Sequence, residues 1–198
     1  MTVTVAVIGA GRMGAIVARH LPKESRRLVI NRTLQKAQEL AGKINAEAYA
    51  DLAAAGDADL VAVILPPDAI NDTIERLLAI VKPGAVILNM TTAAFLKPEI
   101  RAMAKDALVL DAKIIGQSYT MEREEKAIIV VEPCPEAAFK LIQSQLQGLG
   151  KVVQGEPGLV TKLNTLAGME SIKFAVAFRK EMKKEGFPDD WISTAIAS

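Results

Sequence analysis

The sequence predicts an α/β fold: a doubly wound, mostly parallel sheet followed by a long C-terminal helix. Three observations carry that expectation. Short runs of Val, Ile and Leu alternate with helical stretches up to residue 155. A glycine-rich turn stands directly after the first run. Beyond Gly155-Glu156-Pro157-Gly158 the alternation gives way to one uninterrupted helical pattern. Near-continuous apolar strands suit a parallel sheet covered by helices on both faces. Right-handed crossovers then leave few topologies beyond the doubly wound one.

In chain order, residues 3–8 read as a strand and 12–21 as a helix. A second strand over 27–30 leads to a helix from 34 to 41. The alanine-rich patch 50–58 reads as a compositional bias only. Residues 60–65 form a buried strand closed by Pro66-Pro67, and a helix over 69–81 is stopped by Lys82-Pro83-Gly84. Strands over 85–90 and 108–110 flank a helix over 97–105. The series closes with a strand over 127–131, a helix over 136–147 and the short run Val152-Val153.

The C-terminal pattern differs. No proline interrupts 159–185, and Leu159, Leu163, Leu166, Glu170, Phe174 and Phe178 recur at helical spacing. The helix so predicted is roughly 40 Å long. Gly168 is a weak point inside it, Gly186-Phe187-Pro188 ends it, and Asp189-Asp190 opens another helix toward Ser198. The expected organisation is a dinucleotide-type domain over 1–155 and a helical segment over 156–198. So long a helix cannot bury its apolar stripe on a sheet alone. Either the second domain is incomplete or a second subunit completes it; the expectation is a homodimer formed through the C-terminal helix.

Composition excludes several classes. Lys and Arg number 24 against 23 Asp and Glu, so long-range charge draws the chain neither to nucleic acid nor to an anionic membrane. Cys134 and His20 are the only residues of their types, which removes an intrachain disulfide and any Cys/His metal cluster. The first apolar run has no basic flank, and no run is long enough to span a bilayer. The expectation is a soluble cytoplasmic protein with a small-molecule substrate and no metal.

The informative motif is Gly9-Ala10-Gly11-Arg12-Met13-Gly14. It follows a strand and opens a helix, the context that makes it a Rossmann dinucleotide fingerprint. Gly9 permits the turn, Gly11 lets backbone approach a pyrophosphate at the helix N-terminus, and Gly14 allows close helix–strand packing. The second strand ends in Asn31-Arg32-Thr33, without the carboxylate that would hold the ribose hydroxyls of NAD. A guanidinium there suits a 2′-phosphate, so NADP is expected over NAD. Leu65 and Pro66 close the next strand where a cofactor ribose passes, and Thr91 follows the strand where nicotinamide and substrate should meet.

These residues resemble the β-hydroxyacid dehydrogenase family, that of 3-hydroxyisobutyrate and 6-phosphogluconate dehydrogenases. The likeness extends through Gly84 to Thr92 and on to Gly158-Leu159-Val160-Thr161-Lys162. It implies NAD(P) in the N-terminal domain and hydride transfer with a small β-hydroxy acid or related carbonyl. It also implies a proton-transferring lysine, here Lys162, with Asn164 as the nearby substrate-binding amide. The sequence departs from the family in its substrate loop, in its helical domain and in the spacing of Asn164, which follows Lys162 by two residues where the family has three or four. Where a Ser-Gly-Gly substrate loop should follow a strand ending at Asp111, it reads Asp111-Ala112-Lys113-Ile114-Ile115-Gly116-Gln117, and a helical domain shorter than the family's is expected. Two further readings remain: a pyrroline-5-carboxylate reductase-like imine reductase, whose small residues near helix entry Thr165-Leu166-Ala167-Gly168 resemble, and a non-catalytic NADP-binding sensor or partner module. His20, Cys134, Tyr119 in a polar loop, and the charged run Glu122-Arg123-Glu124-Glu125-Lys126, a solvated turn or helix end, are assigned no chemistry.

Overall fold

The computed structural model describes residues 2–123 and 126–197, so Glu124 and Glu125 of the charged run, and Ser198, lie outside the described residues. Its centre is an eight-stranded sheet. The strands are β1 (Thr4–Ile8), β2 (Arg26–Ile30), β3 (Glu47–Tyr49), β4 (Leu60–Val63), β5 (Val86–Asn89), β6 (Leu108–Ile115), β7 (Ala127–Val131) and β8 (Gly150–Gln154). They lie in the order β3-β2-β1-β4-β5-β6-β7-β8, all parallel except where β7 runs antiparallel to β6. The first six reproduce the Rossmann order, in which the chain reverses direction across the sheet between β1 and β4.

The helices that connect the strands are α1 (Arg12–His20), α2 (Leu34–Ile44), α3 (Ile70–Leu78), α4 (Pro98–Met103), α5 (Ser118–Met121) and α6 (Glu136–Leu146). Successive strand residues face opposite sides of a sheet. Val5 and Val7 of β1 accordingly join a core with Ile16 and Val17 of α1 and Ile142 of α6. Ala6 and Ile8 join the opposite core with Ile70, Ile74 and Leu77 of α3. All five residues of β1 and all four of β4 are buried. That is why these strands read as unbroken apolar runs, each aliphatic side chain contributing about 1.5–3 kcal/mol on burial.

Several expectations are corrected. Part of the alanine-rich patch is structured: after the edge strand β3, Leu52–Ala55 forms a 3-10 turn that buries Leu52 and Ala55 against the sheet. Asp51 starts this turn by accepting the Ala53 N–H at 3.0 Å, a local cap that composition conceals. Tyr119 belongs to the short helix α5 rather than a loop. The largest correction concerns β6, which does not end at Asp111. It continues to Ile115, pairing with β5 through Asp111 and with β7 from Ala112 onward. A charged pair at Asp111 and Lys113 reads as a strand end, yet both side chains are buried and partnered.

The chain divides into two units, Met1–Val160 and Thr161–Ser198. The second comprises most of the 28-residue helix α7 (Pro157–Lys184) and α8 (Asp189–Ala197), joined through Gly186 in the left-handed region at φ 84°. Arg179 and Lys183 of α7 pair with Asp189 of α8, and Phe174 stacks on Phe178 at 5.6 Å between centroids. Ile192 is the buried apolar side chain of this unit among the described residues, while Leu163, Leu166, Met169, Ile172, Phe174, Val176 and Trp191 are exposed. No described helix is long and apolar enough to cross a membrane.

Candidate functional site

The turn from β1 into α1 is built by steric necessity. Gly9 sits at φ 108°, and a Cβ there would lie 2.1 Å from the Ile64 carbonyl oxygen of the neighbouring strand end. A Cβ on Gly14 would lie 1.9 Å from the Gly9 carbonyl oxygen. Both glycines therefore permit contacts that no side chain allows. Gly11 is different: a Cβ there would meet nothing within 4 Å, because its Cα faces open space. As the N-cap residue of α1 it has no capping side chain, so the first-turn N–H groups remain available to an external acceptor.

That open space is a cleft of about 830 Å³ over the carboxyl ends of β1, β2 and β4. Ala10, Gly11, Asn31, Arg32, Thr33, Leu65 and Pro66 line it; Gly9, Arg12, Met13 and Gly14 shape or flank the turn without lining it. Asn31 acts as a strut: its Oδ1 accepts the Ala10 N–H at 3.1 Å and its Nδ2 donates to the Thr33 carbonyl at 3.0 Å. The glycine turn is thereby tied to the segment carrying Arg32. Lys36, in the first turn of α2, and Arg76, in α3, also line the cleft, and sequence reasoning missed both. Lys36 could have been found, since four residues separate it from Arg32 across the start of α2. Arg76 could not, because only the β4–α3 crossover brings it there. The two carboxylates of the lining, Asp51 and Asp68, leave a cationic excess. The geometry thus fits a dinucleotide: first-turn N–H groups at the α1 N-terminus and an unobstructed approach at Gly11 for its pyrophosphate.

Beyond β4 lies a second polar assembly. The Thr91 hydroxyl donates to the Leu65 carbonyl at 2.7 Å and accepts the Leu65 N–H at 3.2 Å, tying the loops after β4 and β5 together. Beneath it, Lys113 is fully buried, with Nζ 2.6 Å from the Thr91 carbonyl, 2.7 Å from that of Ala94 and 3.1 Å from Asp111 Oδ1. Asp111 also accepts from Asn89 at 2.7 Å and from Arg101 at 2.8 Å, and Arg101 forks onto Glu132 of the segment after β7. Burial pushes the Lys113 ammonium below the ordinary lysine range, while Asp111 opposes that shift. Elsewhere, His20 Nδ1 lies 2.8 Å from the Ile16 carbonyl within α1. Burial and nearby Glu132 raise the Cys134 thiol, which leaves it a poor nucleophile.

The profile of the NAD-binding domain of 6-phosphogluconate dehydrogenase matches residues 4–159, most of the chain. The protein belongs to that family. It is a β-hydroxyacid-dehydrogenase-like NAD(P)-binding protein. The M. tuberculosis 3-hydroxyisobutyrate dehydrogenase, solved with L-serine, superposes with a TM-score of 0.74 at 21% identity, over 96% of this chain and 68% of that one. A pyrroline-5-carboxylate reductase from Coxiella burnetii gives a TM-score of 0.76 at 16% identity, over 100% and 76%. At these identities the likeness is one of fold. A glutamyl-tRNA reductase of Hyperthermus butylicus is 27% identical over 191 residues, covering 87% of this chain. The chain spans 46% of that relative's length.

At the place of the family's Ser-Gly-Gly loop, Ile115 closes β6 and Gly116-Gln117 leads into α5. Lys162 and Asn164 both lie on α7 in the second unit, with Lys162 exposed. Two positions apart on a helix they are separated by about 200°, so they leave α7 on opposite sides.

Proposed function

We propose that this protein is an NADP-dependent oxidoreductase acting between nicotinamide and a small β-hydroxy acid or related carbonyl. The observation that carries the NADP preference is the set Arg32, Lys36 and Arg76 around the cleft, none in an ion pair among the described residues. Unpaired cations beside a carboxylate-free β2 terminus favour the extra phosphate of NADP, and a guanidinium binds it with two parallel hydrogen bonds. When bound, the nicotinamide supplies or accepts the hydride. The α1 N-terminus holds the pyrophosphate and Gly11 leaves it room. Thr91 stands on the loop where nicotinamide and substrate would meet. Lys162, from the family likeness at the opening of α7, exchanges a proton with the substrate oxygen; Asn164, which the same likeness names as the substrate-binding amide, leaves the helix about 200° away and would have to meet the substrate from a separate direction.

Arg32→Ala is expected to weaken NADPH binding about 10- to 100-fold while changing NADH by less than about twofold, the signature of a lost phosphate contact. Equal loss for both coenzymes would refute the 2′-phosphate assignment. For the reaction, a panel of β-hydroxy acids with NADP and of cyclic imines with NADPH decides. Turnover of a hydroxy acid, with kcat falling about 10²- to 10⁴-fold in Lys162→Ala at unchanged NADPH affinity, is the expected result. Undiminished turnover in that variant removes Lys162 from the chemistry.

Imine reduction is the second reading. An apolar Ile115 where a serine was expected supports it for imines without a carboxylate, which give that loop no anion to hold. If NADPH binds tightly and no substrate class turns over, a non-catalytic sensor is the better account. The reading also includes a homodimer. A 38-residue helical pair with so little buried apolar surface has no core of its own, and a second copy would cover the α7 side chains. Sedimentation is expected to show a dimer that Phe174→Glu weakens.

A further inference from the structure

We infer that Lys113 is a positioning residue for the nicotinamide half of the bound dinucleotide, acting through Thr91 and Leu65. The inference rests on the dinucleotide reading of the cleft. It starts from a lysine that is fully buried in the middle of a strand and takes no part in the proposed chemistry.

An ammonium has three donors and no acceptor. Those of Lys113 are directed to the carbonyls of Thr91 and Ala94 and to Asp111 Oδ1, with the Asn89 carbonyl a further neighbour at 3.3 Å. The Phe95 ring covers the same group, 4.9 Å from Nζ to its centroid. No donor is left for a substrate, so the side chain organises structure rather than reacting. What it organises is the loop leaving β5. Two carbonyls of that loop point inward onto one charge, and Asn89 Nδ2 reinforces the Ala94 carbonyl at 2.8 Å. Without the ammonium, those buried oxygens lose a principal donor and the loop has reason to rotate.

The loop matters because of what it grips. Thr91 is held by its carbonyl to Lys113, and its hydroxyl makes both hydrogen bonds to the Leu65 backbone. Leu65 lines the cleft. In a doubly wound sheet the ligand lies across the carboxyl ends of the strands at the switch point. Arg32 and Lys36 mark the adenosine side, over β2 and α2, so the nicotinamide half extends past β4 toward β5. There Leu65 lines the cleft, and Thr91 is hydrogen-bonded to it. A continuous chain of hydrogen bonds therefore runs from the cleft wall through Thr91 and Lys113 to Asp111, Arg101 and Glu132.

Two probes separate the halves: NADPH, and adenosine 2′,5′-bisphosphate, which keeps the phosphorylated adenosine and lacks nicotinamide. In Lys113→Met the affinity for NADPH is expected to fall about tenfold, the worth of roughly one well-placed hydrogen bond, while the bisphosphate stays within about twofold. Thr91→Val, which keeps the buried ammonium and cuts the link to Leu65, is expected to give the same selective loss at about threefold. If Lys113→Met does not fold, Lys113→Arg, which keeps the buried charge but displaces its donors from the Thr91 and Ala94 carbonyls, is expected to give the same selective loss. Equal weakening of both probes would mark Lys113 as general scaffolding and overturn the inference, as would unchanged NADPH binding in a folded Lys113 variant. Failure of the unsubstituted protein to bind either probe would instead sink the dinucleotide reading, and this inference with it.

Discussion

Replacing Gly14 with alanine is expected to destabilise the fold, while the same change at Gly11 is expected to spare the fold and remove the cofactor. The two glycines lie three residues apart in one motif, yet they meet different surroundings. In Gly14→Ala the new Cβ would stand 1.9 Å from the Gly9 carbonyl oxygen and 3.0 Å from its carbon, both backbone atoms that cannot rotate away. Relief requires α1 to withdraw from β1, which breaks the packing of Ile16 and Val17 on the sheet. A cost of about 3–5 kcal/mol is expected, lowering Tm by roughly 10 °C. At Gly11, φ is −74° and a Cβ meets nothing within 4 Å, so alanine fits the free protein. It would occupy the approach of the pyrophosphate to the α1 N-terminus, and NADPH affinity is expected to drop about 100-fold at an almost unchanged Tm. Thermal melts and fluorescence titrations of both variants check this. Tight NADPH binding by Gly11→Ala would mean that the pyrophosphate does not lie at this turn.

What the sequence disclosed follows from how local each signal is. The β1–α1–β2 unit was legible because its strands are buried on both faces and its turn needs glycines at fixed spacing. Arg32 was legible for the same reason, being placed by the end of β2. Arg76 was not, because α3 meets the cleft only through the crossover after β4. The misreading of β6 has a sharper cause. Asp111 and Lys113 break an apolar run and resemble the start of a loop, but they are two apart and so share one face of a strand. Asn89 is the register partner of Asp111 on β5, and it too is polar and fully buried. Three polar residues on one side of adjacent strand ends were the available signal. Recognising it required the pairing of β5 with β6, which no single stretch of sequence specifies. The same holds for β3, whose three residues gain a strand identity only from pairing with β2.

Removing the carboxylate of this group is expected to have the second large effect. In Asp111→Ala, Lys113 loses its carboxylate partner, Asn89 and Leu96 lose acceptors, and Arg101 keeps Glu132. Breaking a buried pair from one side leaves an uncompensated charge, at about 3–5 kcal/mol. The double variant Asp111→Ala/Lys113→Met should regain part of the loss, since neutral replacements of a buried pair are tolerated better than half of one. The pH dependence follows from the sign of the Lys113 shift. Burial already lowers its affinity for a proton, and the carboxylate restrains that shift, so removing Asp111 lowers it further. A lysine with a depressed folded-state pKa binds fewer protons folded than unfolded between its two pKa values. Stability therefore rises with pH across that interval and levels off near the ordinary lysine value of about 10.4. Urea denaturation at about pH 7 and about pH 9.5 should show the deficit of Asp111→Ala shrinking at the higher pH. A deficit that stays constant would mean that the Thr91 and Ala94 carbonyls alone hold the ammonium charged. Lys113 would then owe its burial to the loop it positions rather than to the carboxylate beside it.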